Sequence, residues 1–523
     1  MTRRRMFRQA VCAVLAAVAI MMSAVSGAQA ASGDTIKVGI PYDLSTVNML
    51  EIKLAGDIPV VLLMHQSLLI PHPITGDRIG VLAKSFEILE DGKKIKVEMY
   101  QGAKFHTGDP VTAHDVKFTY EEGANPSNAN MLAGALDEIE DIEVKDDYTL
   151  IFHFWEAYAP WEELMWLGIC SKKYYEKVGP EKFRSRPVGS GPLRFVERRI
   201  GEYVLLETVE GYPFYAPEGY PEESYSFKYL KIMTIPDDMT RLAMLETGEL
   251  DLVGRIQPHQ LKRLKRNKHV TIKKTDQVPS LVGIAFLPYT DPIMMDRNLC
   301  LAIRYGINRQ EIVDKILLGE GYPLYMYASR AELGYDPNVV FEYDLEKARG
   351  YLKKSGYKKG TPLTFTYTSL VPNAPLIAAL IQQYLQRVGI TIKLQQLEEG
   401  TAVTYTRNRD KRLGHMRLYQ WPGSRDPDLR LRLSSLSTSA FATVTNRPRR
   451  EEYDKLILAQ TREMDKAKRA DLIRQIQDIN SYDAIGAILY GQTMIYGMSD
   501  RIDYTWTPKE AYFPHLQRIK ILK

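Results

Sequence analysis

The sequence predicts an α/β fold built from more than one domain. Segments that alternate apolar and polar residues, as strands do, are interleaved with segments whose apolar residues recur at helical spacing. The chain has 523 residues, more than one hydrophobic core usually serves. Between residues 362 and 397 a strand, a helix and a second strand follow one another, which indicates a parallel pair joined by a crossover helix. A mixed α/β protein with several sheets follows.

The first thirty residues have the pattern of a secretory signal peptide. Four arginines lie within residues 3–8, an apolar stretch runs from about residue 10 to residue 22, and Ala28 and Ala30 supply the small residues that signal peptidase prefers. The alternative, a transmembrane anchor, is disfavoured because the apolar stretch is shorter than the roughly 20 residues that a spanning helix needs. We therefore expect residues 1–30 to be cleaved on export to the periplasm.

The cysteines and the net charge argue against a lipid anchor, a disulfide scaffold and a nucleic-acid partner. Cys12 lies at the start of the apolar stretch, whereas a lipoprotein cysteine follows it, so we expect no lipid anchor. Cys170 and Cys300 are too few for a disulfide scaffold and lack metal-ligand spacing, so two isolated buried thiols are expected. Loss of the four signal arginines lowers the net charge from +5 to +1, which gives no sign of a nucleic-acid partner.

The N-terminal half after the signal is rich in predicted strands. Residues 35–41 and 94–100 alternate apolar and polar side chains. Residues 141–154 read as two strands turning at Asp146 and Asp147, which predicts a hairpin. Thr112 with Asp115 three residues later predicts a capped helix start for residues 112–122.

The C-terminal half shows helices that end in recognisable ways. A helix over 239–247 runs into Gly248, which suits a left-handed cap, and a strand over 249–253 follows. Asp296 precedes a further helix. In the 362–397 unit the strand is 363–367, the helix 375–388 and the second strand 390–394. One helix face is predicted to carry the apolar stripe Leu376, Leu380, Tyr384 and Val388.

A search for catalytic or cofactor motifs finds little. HExxH, GxSxG, Walker A and GxGxxG patterns do not occur. Residues 188–192 are glycine-rich, but Pro192 blocks the helix that a phosphate cradle needs, so a tight turn is predicted. His106 with Asp109 fits a polar turn better than a metal site, and Asp426 with Asp428 lacks the further oxygens of a calcium loop. We predict no catalytic residue, no metal and no cofactor, which favours binding over catalysis.

Several segments in order along the chain resemble the bacterial extracellular solute-binding proteins of family 5, which include dipeptide, oligopeptide and nickel-chelate binders. Residues 101–116, QGAKFHTGDPVTAHDV, resemble the family's "GVKFHDG.P.TA.DV". Residues 188–193 resemble its "GTGPY" turn, and 242–252 resemble its segment ending in "GE.D". Residues 297–321 resemble "VR.AL.YAIDR..I....G.G", and 343–357 resemble "YD..KAK.LL.EAGY". Each match is weak alone, and together they are specific.

The resemblance implies a two-lobed, hinge-linked periplasmic-binding-protein fold of type II with an extra α+β subdomain. Lobe I would combine residues 31–71, 187–281 and 487–523, the extra subdomain would be 72–186, and lobe II would be 282–486. A small solute would bind in the cleft between the lobes, and closure would bury it. The implied partners are a membrane permease and its ATPase, with the binding protein itself a monomer.

The sequence departs from the dipeptide binders at both charged anchors. In those proteins an acidic residue lies three residues after a tryptophan that matches Trp421, and here that position is Ser424. Their carboxylate-binding arginine follows the strand matching 363–367, yet residues 361–386 contain no Arg or Lys, with Thr368 and Ser369 nearest. Because a buried unpaired charge is costly, a simple dipeptide is disfavoured. The loop from Trp421 to Asp426 matches the nickel-chelate binders better in length.

The remaining site predictions concern the same cleft. Arg425 would hold an anionic group beside the aromatic surfaces of Tyr419 and Trp421, unless it faces solvent or pairs with Asp426 or Asp428. Asp426 is either a ligand contact or a brace for the loop. Tyr42, after the first strand, should line the cleft, because ligands of α/β lobes gather at strand C-termini.

Three hypotheses follow. The first is a receptor of an ABC importer for a solute other than a simple dipeptide. The second is a metal-chelate binder of the same family, which is weakened because residues 429–445 contain no histidine. The third is a secreted hydrolase with an unrecognised site.

Overall fold

The computed structural model describes residues 34–54, 56–72, 76–210, 212, 226–421, 423, 426–439, 442, 449–504 and 515–522, with the backbone alone over 276–279. The predicted signal peptide and Cys12 lie outside these residues. Within the described ranges, no helix is long and apolar enough to cross a membrane. Cys170 and Cys300 are both buried and free, as predicted.

Nineteen strands lie in the described part of the chain. They are β1 (Thr35–Ile40), β2 (Leu69–Pro71), β3 (Arg78–Gly80), β4 (Ala83–Leu89), β5 (Lys94–Met99), β6 (Ile139–Asp146), β7 (Thr149–Phe154), β8 (Leu193–Arg199), β9 (Tyr203–Thr208), β10 (Tyr229–Thr234), β11 (Leu252–Val253), β12 (Val270–Phe286), β13 (Gly321–Pro323), β14 (Leu363–Tyr367), β15 (Ile392–Gln396), β16 (Met416–Trp421), β17 (Gly486–Ser499), β18 (Ile502–Asp503) and β19 (Lys520–Ile521).

The α-helices of the described residues alternate with these strands. They are α1 (Ile58–Val61), α2 (Ala113–Ala124), α3 (Ala133–Leu136), α4 (Lys172–Val178), α5 (Pro180–Ser185), α6 (Asp238–Glu246), α7 (Leu261–Leu264), α8 (Arg297–Gly306), α9 (Arg309–Lys315), α10 (Leu345–Lys354), α11 (Ala374–Val388), α12 (Glu399–Arg407), α13 (Asp428–Ser435), α14 (Arg450–Arg462) and α15 (Lys466–Asp483).

One large sheet runs through the molecule in the order β15-β14-β16-β12-β17-β11-β1-β10-β9-β8, with β13 added on β17. At one end β14 is parallel to both β15 and β16. At the other end β1 is parallel to both β10 and β11. The long antiparallel strands β12 and β17 connect these two parallel groups.

Two separate apolar cores lie on the two ends of this sheet. We call the part around the first core, which includes Ile36, Val97, Phe152 and Leu230, the first lobe. The part around the second core, which includes Val282, Phe365, Ile381 and Leu418, is the second lobe. The β12–β17 pairing shifts register between Thr275 and Ser280, so the ladder is interrupted where the strands pass from one lobe to the other.

The antiparallel sheet β4-β5-β7-β6 lies within the first lobe. Its inward side chains Ile95, Val97 and Phe152 join the same apolar core as Ile36 of the large sheet. Ala487, Leu489 and Tyr490, at the start of β17, pack in the second core. The domain boundaries at 71/72, 186/187, 281/282 and 486/487 stay a prediction.

Most predicted elements are present. The hairpin of β6 and β7 turns beyond Asp146, Thr112 and Asp115 form the capping box of α2, and Gly248 has φ 78° after α6. The strand–helix–strand unit is β14, α11 and β15, and its strands are parallel.

One detail of that unit was predicted wrongly. Leu376 is 61% exposed and Leu380 is only half-buried, whereas the buried face of α11 carries Ile377, Ala378, Ile381, Tyr384, Leu385 and Val388. The apolar sequence of this helix allows two overlapping stripes. The position of the second core, not the sequence period, selects between them.

Candidate functional site

The C-terminal edges of the two parallel strand groups face one another. The segments after β1 and β11 belong to the first lobe, and the segments after β14 and β16 belong to the second. Asn373, after β14, donates its side-chain N–H to Oε1 of Gln257, after β11, at 3.0 Å. We call the space between these edges the cleft. Ligands of open α/β sheets bind at such carboxyl edges, because loops of several strands meet there.

On the first-lobe edge, Tyr42 and Arg255 form a stacked pair. The Arg255 guanidinium carbon lies 5.6 Å from the centroid of the Tyr42 ring. The ring packs on Gly56, where a Cβ would approach it to 2.7 Å, so this close contact requires glycine. Burial raises the pKa of the Tyr42 hydroxyl, although the Arg255 charge opposes that shift, so the phenol stays neutral. Arg255 is exposed and has φ 58°.

On the second-lobe edge, Tyr419 and Trp421 lie on the same face of β16. They pack with a group of apolar and aromatic side chains from β12, β13, β17 and the segment after β13, namely Leu281, Tyr322, Ile488, Leu324, Tyr327 and Tyr335. Tyr419 meets the ring of Tyr327 edge-on at 6.4 Å, and burial raises the pKa of its hydroxyl. Trp421 is half-buried at the end of its strand, beside the cleft.

Behind this aromatic group lies a buried ion pair. Arg430 donates to Glu332, and their side chains are 2% and 1% exposed. The Arg430 guanidinium carbon also lies 4.4 Å from the centroid of Tyr327. Burial raises the pKa of Glu332 against the opposing effect of Arg430. The pair therefore fixes the back of the aromatic wall.

Asp426 pairs with Arg469 of α15 and so braces its loop. Its carboxylate accepts from Arg469, with Nη2 at 2.7 Å from Oδ1, and from the backbone N–H of Asp428 at 2.9 Å. Burial opposes ionisation, yet the Arg469 charge and hydrogen bonds hold the pKa of Asp426 below its usual value. This arrangement favours the bracing role over a ligand contact.

The other predicted site residues are distributed as follows. Ser369 is exposed two residues after β14, on the second-lobe edge of the cleft. Thr368 is buried beside it. Ser424 and Arg425 lie outside the described residues, so the predicted anion contact of Arg425 stays a prediction.

A buried polar network joins the first lobe to the second away from the cleft edges. Asp428 accepts from the Tyr158 hydroxyl at 3.0 Å, from Arg432 at 2.9 Å and from Gln460 at 2.6 Å. Arg432 also donates to Glu138 at 2.9 Å and to the Tyr158 oxygen at 2.7 Å. Glu138 and Tyr158 belong to the first lobe, and the other three lie on α13 and α14, which the predicted boundaries assign to the second. We call these five residues the polar bridge.

A cavity of about 340 Å³ lies elsewhere, between the 326–339 loop and α15. Met326, Asp336, Arg474 and Asp478 are among its lining residues. It does not adjoin the carboxyl edges of either parallel strand group. We place the candidate site in the cleft, because loops of both lobes converge there.

Potential metal ligands do not cluster in the described structure. Among the residues that the structure describes, no group of three or more His, Cys, Asp and Glu side chains could hold a metal ion. His106 donates to the Gly191 carbonyl at 2.9 Å, and Asp109 contacts Lys173. These contacts fit the predicted polar turn. Gly189 and Gly191 pack directly against the backbone of Met64, as a tight turn requires.

Sequence reasoning missed Arg255, Gln257 and Asn373. The rule that placed Tyr42 in the cleft applies equally to the segment after the predicted strand 249–253, so Arg255 could have been found. The contact between Gln257 and Asn373 joins positions 116 residues apart and leaves no local signal.

Residues 78–441 match the family model described as bacterial extracellular solute-binding proteins, family 5 Middle. The oligopeptide-binding protein AppA of Bacillus subtilis is 26% identical over 358 residues, which are 63% of this chain and 63% of that protein. The chain thus aligns with less than two thirds of that relative's length. The dipeptide-binding protein of Escherichia coli is 24% identical over 458 residues, 81% of this chain and 82% of that protein.

Solved structures share the fold. The ABC transporter substrate-binding protein CtaP of Listeria monocytogenes matches with a TM-score of 0.81 at 22% identity, over 94% of this chain and all of that chain. NikZ of Campylobacter jejuni, in complex with Ni(L-His), matches with a TM-score of 0.80 at 18% identity, over 94% of this chain and all of that chain. AgaA of A. tumefaciens R10, in complex with agropinic acid, matches with a TM-score of 0.79 at 20% identity, over 94% of this chain and 99% of that chain.

These likenesses confirm the predicted two-lobed α/β fold and the predicted family. The family model covers more than half of the residues, from the first-lobe strand β3 to the loop beyond α13 of the second lobe. The chain belongs to the bacterial extracellular solute-binding proteins of family 5.

Proposed function

We propose that the chain is the substrate-binding component of an ABC importer, which captures a small solute between its lobes and delivers it to a membrane permease. The observation that carries this proposal is the cleft, where the carboxyl edges of the two parallel strand groups face each other. The lobes are joined across it by β12 and β17, whose pairing is interrupted between Thr275 and Ser280. A two-strand connection with a local break can act as a hinge, and hinge closure can bury a solute.

We further propose that the protein works in the periplasm as a monomer, without cofactor and without catalytic activity. The pattern of residues 3–30 supports export, and the described acidic residues near the cleft serve as braces and not as an acid–base pair. Asp43, for example, accepts from Arg198, from the Gly201 N–H and from Thr234. A permease recognising the closed form would complete the transport step.

The solute is proposed to be something other than a simple dipeptide. Ser424 stands where the dipeptide binders carry an acid, and the edge after β14 supplies no Arg or Lys. Tyr42, Trp421, Tyr419 and Ser369 would line the bound solute, with Asp426 bracing the loop. A buried zwitterion would find no charged partner at these two positions, and that loss is costly.

A second candidate is a metal-chelate binder of the same family. The fold likeness to NikZ and the spacing from Trp421 to Asp426 favour it. A preformed chelate would bring its own metal ligands, so the protein would need to contact only the organic part.

The decisive experiment is native mass spectrometry of the gently purified protein, followed by calorimetric titration of the released compound. One solute bound per chain, with no conversion on prolonged incubation, is the expected result. Ni(II) with L-histidine binding in place of organic solutes would favour the chelate candidate. Turnover of peptides or glycosides would contradict the binding function and favour a secreted hydrolase.

A further inference from the structure

Arg255 occupies an unusual place on the first-lobe edge of the cleft. It lies two residues after β11, is exposed, and has φ 58°, a left-handed conformation that non-glycine residues seldom adopt. Its guanidinium lies over the ring of Tyr42, which itself packs tightly on Gly56. The aromatic surface under the cation and the fixed backbone both hold Arg255 at the cleft edge.

The acidic groups on the same edge are all engaged with other partners. The loops after β1, β10 and β11 carry five described carboxylates within residues 41–57, 235–238 and 254–260. Asp43 accepts from Arg198 and Gly201, and Glu51 pairs with Arg184 at 2.7 Å. Asp57 accepts from the N–H groups of Ser45 and Leu54.

The two remaining carboxylates belong to helix α6. Asp237 caps the helix by accepting from the Thr240 N–H at 2.7 Å. Asp238 pairs with Arg241. Within the described residues, then, no carboxylate of these loops forms an ion pair with Arg255.

On the facing edge of the second lobe, Asp426 and Asp428 after β16 are engaged by Arg469 and Arg432, and the segment after β14 carries no counter-charge. Residues 361–386, which include the whole segment between β14 and α11, contain no Asp, Glu, Lys, Arg or His. This segment does face Arg255's own loop, because Asn373 donates to Gln257, two residues beyond Arg255. Ser369 and Thr368 offer only neutral hydroxyl groups there.

We propose that Arg255, stacked on Tyr42, binds a carboxylate of the solute, and that the neutral polar part of the solute lies against the segment from Ser369 to Asn373. This inference rests on the proposed function, and it names the class of solute as a carboxylic acid. A guanidinium and a carboxylate match in geometry, and two parallel N–H···O bonds give a charge-assisted contact. Arginine suits this role better than lysine, whose ammonium cannot make the paired contact.

The test uses the full-length mature protein and pairs of probes that differ only in charge. Agropinic acid, reduced glutathione and Met-Leu are each compared with the corresponding methyl ester by calorimetric titration. The wild-type protein is expected to bind at least one acid at least about tenfold more tightly than its ester, as loss of one charged hydrogen-bond partner implies.

The variant Arg255→Asn removes the charge and keeps a residue type that tolerates the left-handed conformation. It is expected to weaken binding of that acid at least about tenfold and to leave the ester's affinity unchanged. Arg255→Lys should bind the acid with an affinity between those of the wild type and Arg255→Asn. Arg266→Asn, which removes an equally exposed charge from the end of α7, is the matched control and should change neither affinity. Melting temperatures of the unliganded variants report whether they fold.

Three outcomes would overturn the assignment. Equal binding of acid and ester is one, and an Arg255→Asn affinity within twofold of wild type is another. Failure of every acid to bind is the third. In that case, binding of Ni(II) with L-histidine or of an ester would still support the proposed function as a solute receptor. Turnover of a probe without stoichiometric binding would contradict that function as well.

Discussion

The polar bridge and the hydrogen bond between Gln257 and Asn373 both join the second lobe to the first outside the crossing strands, and they differ in chemistry. The polar bridge is buried and charged, with Asp428 1% exposed and Arg432 7% exposed. At the cleft edge, Gln257 and Asn373 share one neutral hydrogen bond. The difference shows where the protein supplies its own partners and where it does not. The charges of the bridge pair with one another, whereas Arg255 at the cleft would pair with a carboxylate of the solute.

The largest expected effect comes from cutting the polar bridge at its centre. Asp428→Ala removes the acceptor of the Gln460 side-chain N–H and the carboxylate nearest to the buried Arg432, which keeps only Glu138 and Tyr158, so we expect the free energy of unfolding to fall by about 3–5 kcal/mol. Urea unfolding followed by tryptophan fluorescence measures this.

Glu452→Ala is the matched control for Asp428→Ala. Its carboxylate pairs with Arg449 at 2.7 Å on an exposed helix face, so removal should cost less than about 1 kcal/mol. If the two variants lost equal unfolding free energy, the buried bridge would contribute no more to stability than an exposed ion pair.

Acid should destabilise the protein through two buried histidines of the first lobe. Burial lowers the pKa of both His65 and His106 to about 4. Since the unfolded value is near 6.5, the unfolded state takes up protons first as the pH falls. The stability that each neutral imidazole contributes is therefore present above about pH 6.5 and is lost progressively towards pH 4.

At pH 4.5 the loss should be about 2.5 kcal/mol for each histidine. His106→Gln should flatten the fall in unfolding free energy between pH 6.5 and 4.5 by that amount, because glutamine does not titrate. Urea unfolding at several pH values checks it. A profile as steep for His106→Gln as for the wild type would contradict the role of this imidazole.

A smaller change to the bridge is the loss of one hydroxyl. Tyr158→Phe keeps the ring packed on Phe154 at 5.3 Å but removes the group between Asp428 and Arg432. We expect the melting temperature to fall, with a loss of about 1.5 kcal/mol in unfolding free energy.

Tyr357→Phe removes a hydroxyl that donates to the Thr361 carbonyl and accepts from the Thr391 N–H at the surface, and it should cost less, because water can replace both partners. A Tyr158→Phe melting curve that matches Tyr357→Phe would mean that the bridge hydroxyl is not needed.

Sequence predicted the local elements and not the bridge, for a physical reason. The capping box of α2 and the β14–α11–β15 unit depend on residues close together in the chain, so their spacing carries the signal. Asp428 and Tyr158 are 270 residues apart, and neither shows its burial in its own segment. Leu376 was misplaced for the same reason, since only the second core selects the buried face of α11.

The cleft was predictable in position but not in charge. The rule of strand C-termini placed Tyr42 at its edge, and the family resemblance placed Ser369 there. The same rule reaches Arg255 once β11 is identified. What no segment reveals alone is that Asp43, Asp57 and Asp237 are already engaged. Whether a charge is available to a ligand depends on every neighbour, so it requires the folded structure.

The smallest expected change in stability lies at the cleft contact itself. Asn373 has φ 58°, so Asn373→Gly removes its hydrogen bond to Gln257 without straining the backbone. We expect the free energy of unfolding to change by less than about 1 kcal/mol, because one neutral, partly exposed bond is lost. The melting temperature of the unliganded protein measures this. If Asn373→Gly destabilised the protein as much as Asp428→Ala, the cleft edges would be held together by the protein's own contacts, and the space beside Arg255 would not be free for a solute.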